Sequence, residues 1–565
     1  MTITEIIKES IKQALTELGI SYDGEINLEH PRELSHGDYA TNIAMALAKA
    51  EGKNPKEIAE VIAEKITAPE IKQVTVAGPG FINIHLSDDF FAHQVQEIIK
   101  QKDRYGWNES WKGKTILVEH SSPNLFKPFH IGHMMNNTIG ESITRLAGTS
   151  GAEVTQISYP SDVSLGIGKA VWKLLEYGID SIDEYTTISE KMQFLGRCYA
   201  EGTQAYDSDP SIHHRVREIT QDIYEHRDTE AYRAYTIGKD LNLQYFIEMT
   251  ARLGSVFDGF IFESEAGIEG KKLILEHTPH IYTESDGAII YEGEQDGLHT
   301  RVFINKDGNP TYEAKDTGLL KLKFERYTPD LSVFVTDSEQ GPYFKVVQTA
   351  AGKINKEWED KTIHATHGRM QFKGEKMSSR LGNTPLVSDI LDVVNDEVCE
   401  RAGERELSDE QIDMIAIAAV KYTILRTQAG KNINFDPETS LSFEGDSGPY
   451  LQYTYARSGS MIRKALDLGI DISDQRPENW ETTDIERYLY RFPEVIETAF
   501  NELHPHHVVT YITELAQLFN SWYGNTKIVD VDDETTGYKL AITEATAEVI
   551  RNGLWVLGID TPSEM

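Results

Sequence analysis

Residues 115–151 read TILVEH, SSPNLFKPFHIGH and MMNNTIGESITRLAGTSG in succession, and the pattern changes twice along them. TILVEH is a short apolar run of the kind that makes a buried parallel strand. A turn rich in Ser, Pro and Asn follows, and then a helical pattern. Strand, glycine-containing turn and helix in that order predict a nucleotide-binding α/β unit. With the helix starting near His130, His130 and His133 stand three apart on one face of its first turn. Gly132 between them leaves room for a flat ring to approach the backbone. The helix amino terminus adds free N–H groups and a partial positive charge, and Lys127 adds a full one. Such a corner suits ATP, because charge moves onto the α-phosphate and the departing pyrophosphate. A bare HxGH is more often two ordinary surface or core histidines, so the rest of the chain has to decide.

The chain has 565 residues, 39% of them hydrophobic, which exceeds one core and predicts about three or four domains. With 91 acidic against 55 basic side chains its formal charge is −36. That surface argues against DNA coating and against binding to anionic membranes, but leaves room for a local basic groove that meets phosphates. Cys198 and Cys399 stand far apart without a CxxC or Cys/His cluster, which fits a reducing compartment and disfavours a structural zinc site. The amino terminus has no signal-peptide core and no stretch approaches ~20 uncharged apolar residues, so the expectation is a soluble cytoplasmic protein. No metal-ligating set is named.

In KNPKEIAEVIAEKI, Asn54 is a good N-cap, Pro55 suits the first helical position, and Ile58, Ile62 and Ile66 share a face. FINIHLS alternates as a strand after the GPG turn, and the polar QKDRYGWNESWKGK reads as a linker. Residues 169–253 turn helical and charged, as an insertion would. Short strands return in GAIIYEGEQDGLHTRVFINKDGNPTYEAKD, LSVFVTDS and KTIHATHGRMQF. Beyond about residue 405 the pattern is helix upon helix.

SSPNLFKPFHIGHMMNNTIGESITRL resembles the HIGH motif of class I aminoacyl-tRNA synthetases, in the SPNxxKPxHxGH form of the arginyl-tRNA synthetases. That family has a second phosphate-binding loop, KMSKS. HGRMQFKGEKMSSRLGN supplies Lys376, Met377, Ser378, Ser379 and Arg380 in its place, ~240 residues later. Ser379 stands where the loop's second lysine is usual, and Lys127 looks like the substitute cation. The resemblance implies ATP contacts from Gly132, Phe129, His367, Met377, Ser378, Ser379 and Arg380.

A guanidinium group wants planar carboxylate acceptors and aromatic or apolar walls. FDGFIFESE resembles the family's FDVxFSES and offers Glu263. PTYEAKDTG resembles PTYxTRDxG and gives Tyr312 and Asp316, four apart and able to face one cavity. Ser122, Asn124 and Gln340, the last in the SEQ tripeptide, match positions that hold the amino acid's ends. Asp162 in SYPSD replaces part of a VGDWG pattern without its tryptophan. An isolated Asp or Glu in so acidic a chain is usually a surface carboxylate or a cap, so the set carries the reading.

PRELSHGDYATNIAMALAKAEGKNPKEIA and VAGPGFINIHLS resemble the additional amino-terminal domain of the same family, which contacts the tRNA elbow at its D-loop. Tyr39 and Asn83 are the candidates there for stacking and hydrogen bonding to an unpaired base, with simple packing of an α/β domain as the alternative. INFDPETSLSFEGDSGPYLQYTYARSGSMIRKA is similar to SFEGxTGPYLQYAHAR, which leads into a helical anticodon-binding domain. Tyr453, Tyr455 and Arg457 are its candidate tRNA contacts, although tyrosines at such spacing are more often core. WVLGIDTPSEM also resembles the family's carboxy terminus.

The implied fold class is α/β. A Rossmann-like catalytic domain (109–395) carries the helical insertion, with a small α/β amino-terminal domain (1–108) and an all-helical carboxy-terminal domain (396–565). The implied reaction joins L-arginine to ATP, with Mg2+ on the phosphates, and passes the arginyl group to the terminal ribose of tRNA(Arg). Electrostatic support is expected from His130, His133, Lys127 and Lys376. Resemblance further implies activation that waits for tRNA and a monomer, and no editing domain is expected because the guanidinium offers enough contacts for direct selection over lysine or ornithine. Two rivals are a synthetase-like paralogue that binds tRNA without catalysis, and a small-molecule adenylating ligase. Intact His130, His133, Lys127 and Lys376 oppose the first, and the two terminal domains have no obvious use in the second.

Overall fold

The structure is a computed structural model that describes residues 2–373, 385–402 and 407–564. Lys376, Met377, Ser378, Ser379 and Arg380 lie outside the described residues.

The amino-terminal region folds around a three-stranded antiparallel sheet in the order β1 (Tyr39–Thr41), β3 (Phe81–Leu86), β2 (Ile71–Ala77). Asn54 caps the helix Pro55–Ala63 by accepting the Lys56 N–H, and Ile58, Ile62 and Ile66 are buried. The polar 101–114 segment does not behave as a free linker. Trp107 stacks on Trp555, Trp111 meets Phe500 edge-on, and Asn552 donates to the Lys102 and Tyr105 carbonyls. Its aromatics bury apolar area against the carboxy-terminal helices, and that outweighs the polar composition.

Next come β4 (Thr115–Glu119), the helix Ile131–Thr149, β5 (Glu153–Ser158) and four helices between Leu165 and Arg252 where the insertion is expected. β6 (Gly259–Phe260) follows, then a small antiparallel sheet of β7 (Thr283–Ser285), β8 (Ala288–Tyr291) and β9 (Arg301–Ile304). β10 (Leu331–Asp337) and β11 (Thr362–His367) complete a five-stranded parallel sheet ordered β11-β10-β4-β5-β6. Val333 stands opposite Val118 in its register.

One core runs from this sheet into the carboxy-terminal helices. Ile116, Val118, Val333 and Val335 pack with Ile143 and Leu146, and the same cluster continues through Tyr422, Leu451, Leu515 and Phe519. Burying each large side chain is worth about 1.5–3 kcal/mol, so the catalytic sheet and the helical region are not independent bodies. The carboxy-terminal region also holds a strand, β13 (Ile433–Phe435), parallel to β12 (Met370–Phe372), which modifies the all-helical expectation. Among the described residues no helix is long and apolar enough to cross a membrane.

The amino-terminal region docks on the helical one through Asp38, which is 1% exposed and accepts from Arg487 Nε at 2.9 Å. Tyr39, beside it, is likewise 1% exposed, donates its hydroxyl to Glu494, and packs against His30 and Tyr490. Asn83 is buried on β3 opposite Ala40. Neither offers a face to a nucleic-acid base, so both expected tRNA contacts are corrected to packing residues. Tyr39→Phe removes only the buried hydroxyl. It should cost about 1–2 kcal/mol, read as a lower urea midpoint, with nucleic-acid affinity unchanged within about twofold. Weakened binding at unchanged stability would return Tyr39 to the surface.

Candidate active site

From β4 the chain moves outward through β5 to β6, whereas from β10 it moves the other way to β11. Adjacent strands whose connections diverge open a crevice at their carboxyl ends. A cavity of about 420 Å3 lies there, lined by Glu119 of β4, Thr336 and Asp337 of β10 and His367 of β11. It brings together all six residues expected for the amino acid: Ser122, Asn124, Glu263, Tyr312, Asp316 and Gln340. From the nucleotide set it adds His130, Gly132, His133 and His367.

The turn between β4 and its helix is held under strain. Ser121 (φ 56°) and Phe126 (φ 63°) both adopt the left-handed region, which costs non-glycine residues of order 1 kcal/mol or more each. Asn136 compensates. Its Oδ1 accepts the Ser121 N–H at 2.7 Å and its Nδ2 donates to the Val335 carbonyl at 2.6 Å, stitching the turn to β10. Asn124 is fixed by its flanking backbone, because Leu125 N–H donates to the Ser161 carbonyl and Ser161 N–H to that of Pro123.

His130 is the N-cap of the helix. Its Nδ1 accepts the Gly132 N–H at 3.1 Å, and its own N–H donates to His133 Nδ1 at 3.2 Å. A ring nitrogen that accepts a backbone N–H carries no proton, so each neutral ring keeps its proton on Nε2. The rings stack 3.8 Å apart at 21°. A Cβ on Gly132 would sit 3.0 Å from His130 Cε1, so the ring that needs this glycine is the histidine's own. Burial lowers both histidines below the ordinary imidazole value, His133 further than His130, and Lys127 pushes the same way. They therefore act as a pair of neutral N–H donors and add no formal charge.

Two expected members of the nucleotide set lie elsewhere. Phe129 is 2% exposed and stacks on His133 at 4.9 Å, with Phe246 beyond it. Its assignment to ATP is corrected, since it supports His133 from the core. Lys127 places Nζ 4.4 Å over the Tyr199 ring of the insertion and does not line the cavity, although its charge reaches both histidines. His367 is buried, donates from Nδ1 to the Gly368 carbonyl, and leaves Nε2 without a partner at the cavity wall.

Four carboxylates line the cavity, and of these Asp337 is ion-paired with Arg369 at 3.2 Å. Glu263 opens the helix Glu263–Glu276 and is ion-paired with buried Lys315, and Glu119 is ion-paired with buried Lys323. Asp316, on the helix Tyr312–Tyr327, has only the Tyr343 hydroxyl, at 2.5 Å, and no cation at ion-pair distance among the described residues. Burial raises it to about 7, and Glu119 and Glu263 add repulsion against the Tyr343 bond and the more distant Lys323. Tyr312, one turn earlier, is 66% exposed at the rim. Asp162 lies outside this cavity's lining. It accepts from Ser264 N–H and Lys239 Nζ, and so fixes the start of the Glu263 helix against the insertion.

Tyr453 and Arg457 line a different cavity, of about 610 Å3, with Arg401 and Phe443. Arg457 donates to the Tyr453 hydroxyl at 2.8 Å and to Asn520 Oδ1 at 3.0 Å. Tyr455 instead packs against the core shared with the sheet.

A histidine pair at a helix amino terminus, set at the switch point of a parallel sheet, is the arrangement of a class I aminoacyl-tRNA synthetase. Comparison with known proteins narrows the class. Residues 94–436 match the family described as tRNA synthetases class I (R), catalytic domain. Residues 5–86 match the arginyl tRNA synthetase N terminal domain, and 451–565 the DALR anticodon binding domain. The chain belongs to the arginyl-tRNA synthetase family. It is 29% identical to the arginine–tRNA ligase of Lactobacillus delbrueckii subsp. bulgaricus, with 99% of each chain covered. It is 30% identical to that of Streptococcus equi subsp. equi, with 95% of each covered. Its fold matches Thermus thermophilus arginyl-tRNA synthetase with a TM-score of 0.80 at 22% identity, covering 100% of both chains.

Sequence reasoning missed Glu119, Lys323, Asn136 and Tyr343. A carboxylate ending an otherwise apolar strand was the available signal for Glu119. The other three are visible only once the strands are paired. In a protein labelled with 15N-histidine, His130 and His133 should show the Nε2–H tautomer at pH 7 and titrate below the ordinary imidazole value, His133 further below it than His130. A ring titrating at or above 6.5 would restore a cationic pair.

Proposed function

We infer that this chain carries out the arginine–tRNA ligase reaction in translation. The carboxylate of L-arginine attacks the α-phosphorus of ATP, pyrophosphate leaves, and the arginyl group of the adenylate passes to the 3′-terminal ribose of tRNA(Arg). ATP enters as its magnesium complex. No protein nucleophile is needed, so the protein's contribution is alignment and electrostatic support of charge on the phosphoryl oxygens. His130 and His133 supply Nε2–H donors, and Lys127 with Lys376 supplies positive charge. Full-length likeness to arginine–tRNA ligases supports the reaction.

The observation that carries the substrate assignment is Asp316, the cavity carboxylate without a counter-cation among the described residues. We assign it the guanidinium group, with the Tyr343 hydroxyl fixing its orientation. Lys315 and Lys323 already neutralise Glu263 and Glu119, so their ammonium groups raise the cost of a lysine side chain in the same space. A guanidinium instead spreads its charge over a planar fork that one carboxylate can grip with two bonds. Ser122, Asn124 and Gln340 are assigned the amino and carboxylate ends of arginine, Tyr312 the rim, and His367 the nucleotide. Tyr453 and Arg457 remain the proposed tRNA contacts of the helical region, and residues 1–108 the proposed contact to the tRNA elbow.

Arginine-dependent exchange of labelled pyrophosphate into ATP, run with and without tRNA carrying an arginine anticodon and with lysine as control, tests the reading. Exchange with arginine alone among the two, and only with tRNA present, is the expected result. Folded protein that binds tRNA but never exchanges would identify a non-catalytic paralogue.

Asp316 adds a pH signature. Without a cation beside it this carboxyl loses its proton at about pH 7, and the arginine cation selects the ionised form. Binding must therefore release a proton, almost a full one at pH 6 and very little at pH 8. Arginine affinity should rise toward tenfold per pH unit below 7 and level off above 8. Calorimetry in buffers of different ionisation enthalpy reads the release directly. Asp316→Asn should abolish the pH dependence and weaken arginine by about 2–5 kcal/mol, 30-fold or more. Wild-type affinity that is flat from pH 6 to 8 would count against the assignment.

A further inference from the structure

The strongest unassigned feature lies away from the active site, where the chain turns from the helix Phe492–Glu502 into the helix His506–Asn525. The turn reads Glu502, Leu503, His504, Pro505, His506, His507. Leu503 adopts the left-handed region (φ 55°), and His504 is returned toward the first two residues of the next helix. One potential ligand atom from each of His504, His506 and His507 lies within 4.8 Å of the others. His506 and His507 stack at 4.2 Å, and His504 stands 5.3 Å from His506. Glu502 joins them, with Oε2 2.7 Å from His507 Nε2 and 3.4 Å from His504 Nδ1.

A second observation points to a ligand. His506 Nδ1 is buried and has no hydrogen-bond partner. A buried ring nitrogen without a partner costs of order 1–3 kcal/mol, and a coordinate bond would satisfy it. We propose that His504, His506 and His507 form a binding site for a divalent transition-metal ion of the zinc, cobalt or nickel class. Three imidazoles suit such ions, whereas magnesium and calcium take oxygen donors. Tetrahedral coordination at 2.0–2.1 Å places ligand atoms about 3.3 Å apart, so the rings close by small side-chain rotations. The side chains of His504 and His507 are 31% and 33% exposed, which leaves them room to do so. Glu502 holds the carboxylate contact that orients metal-binding imidazoles, and its charge offsets part of the ion's.

The site's position gives it a consequence. His504 and His506 line one small cavity with Ile363 and Thr366 of β11, with Leu425 at the end of the helix Asp409–Leu425, and with Ala429 beyond it. His506 and His507 line another with His30 of the amino-terminal region and Arg491. An ion here would clamp the helix turn at the point where the catalytic sheet, the helical region and the amino-terminal region meet.

The test uses the full chain without an affinity tag, stripped with chelator and then titrated with Co2+ or Zn2+ alone. One equivalent should bind with a dissociation constant below about 10 µM, Co2+ should develop visible ligand-field absorption, and the thermal midpoint should rise by about 2–4 °C. The double variant His504→Asn with His507→Asn should bind at least 30-fold more weakly, while its melting in chelator and its pyrophosphate exchange match the parent's. On the unsubstituted protein, Zn2+ should protect these three histidines from diethylpyrocarbonate as mapped by mass spectrometry, a readout independent of how the variant folds. Absence of binding below 100 µM, equal binding by the variant, or no protection of the three rings would each overturn the site.

Discussion

Buried carboxylates that face one another cannot all ionise without partners, and this constraint organises the active site. Glu119, Glu263 and Asp316 approach one cavity from a strand end and two helices. Lys323 and Lys315 neutralise the first two, and both lysines belong to the same helix as Asp316, Tyr312–Tyr327. That helix therefore both cancels two charges and presents the third. Its position relative to β4 and to the Glu263 helix is set by the two ion pairs. Each pair is costly to break singly, since the remaining charge would stay buried without compensation. That Asp316 has no counter-cation among the described residues is thus a property of the packed helix rather than of one side chain.

The nucleotide side follows a different logic. The helix amino terminus contributes oriented N–H groups, but two of them are spent on the Nδ1 atoms of His130 and His133. What the site gains is two Nε2–H donors whose tautomer is fixed before any ligand arrives. Fixed donors need no reorganisation when charge builds on a phosphate oxygen, and neutral ones add no charge that would repel a cationic substrate. Formal positive charge is left to lysines. Lys127 lies against Tyr199 of the insertion, so the insertion has a hand in where that charge is held.

What the sequence made legible, and what it hid, follows from contact distance along the chain. TILVEH, the following turn and the helix are local, so strand, turn, N-cap and the His130/His133 face were readable. Tyr312 and Asp316 were readable for the same reason, four residues apart on one helix. Glu263 looked free because its partner Lys315 lies 52 residues away. Tyr39 looked like a surface aromatic because Glu494, which accepts its hydroxyl, lies 455 residues away. Phe129 sits beside the histidines in sequence, yet its ring is drawn into the core by Phe246 of the insertion. The polar 101–114 segment read as a linker because composition counts charges and misses three aromatics that meet partners far along the chain.

The same long-range contacts bear on how distant parts of the molecule share the active site's strain. The back of β4 and β10 packs into a core continuous with the carboxy-terminal helices, while the carboxyl ends of those strands line the cavity. Asn136 bonds both the strained turn after β4 and the β10 backbone, so its helix cannot shift without moving both. β13, from the carboxy-terminal region, pairs with β12, and β12 leads in sequence toward Lys376. Packed cores transmit displacement because they have little free volume to absorb it. A load applied to the carboxy-terminal helices therefore reaches the cavity through the backs of β4 and β10.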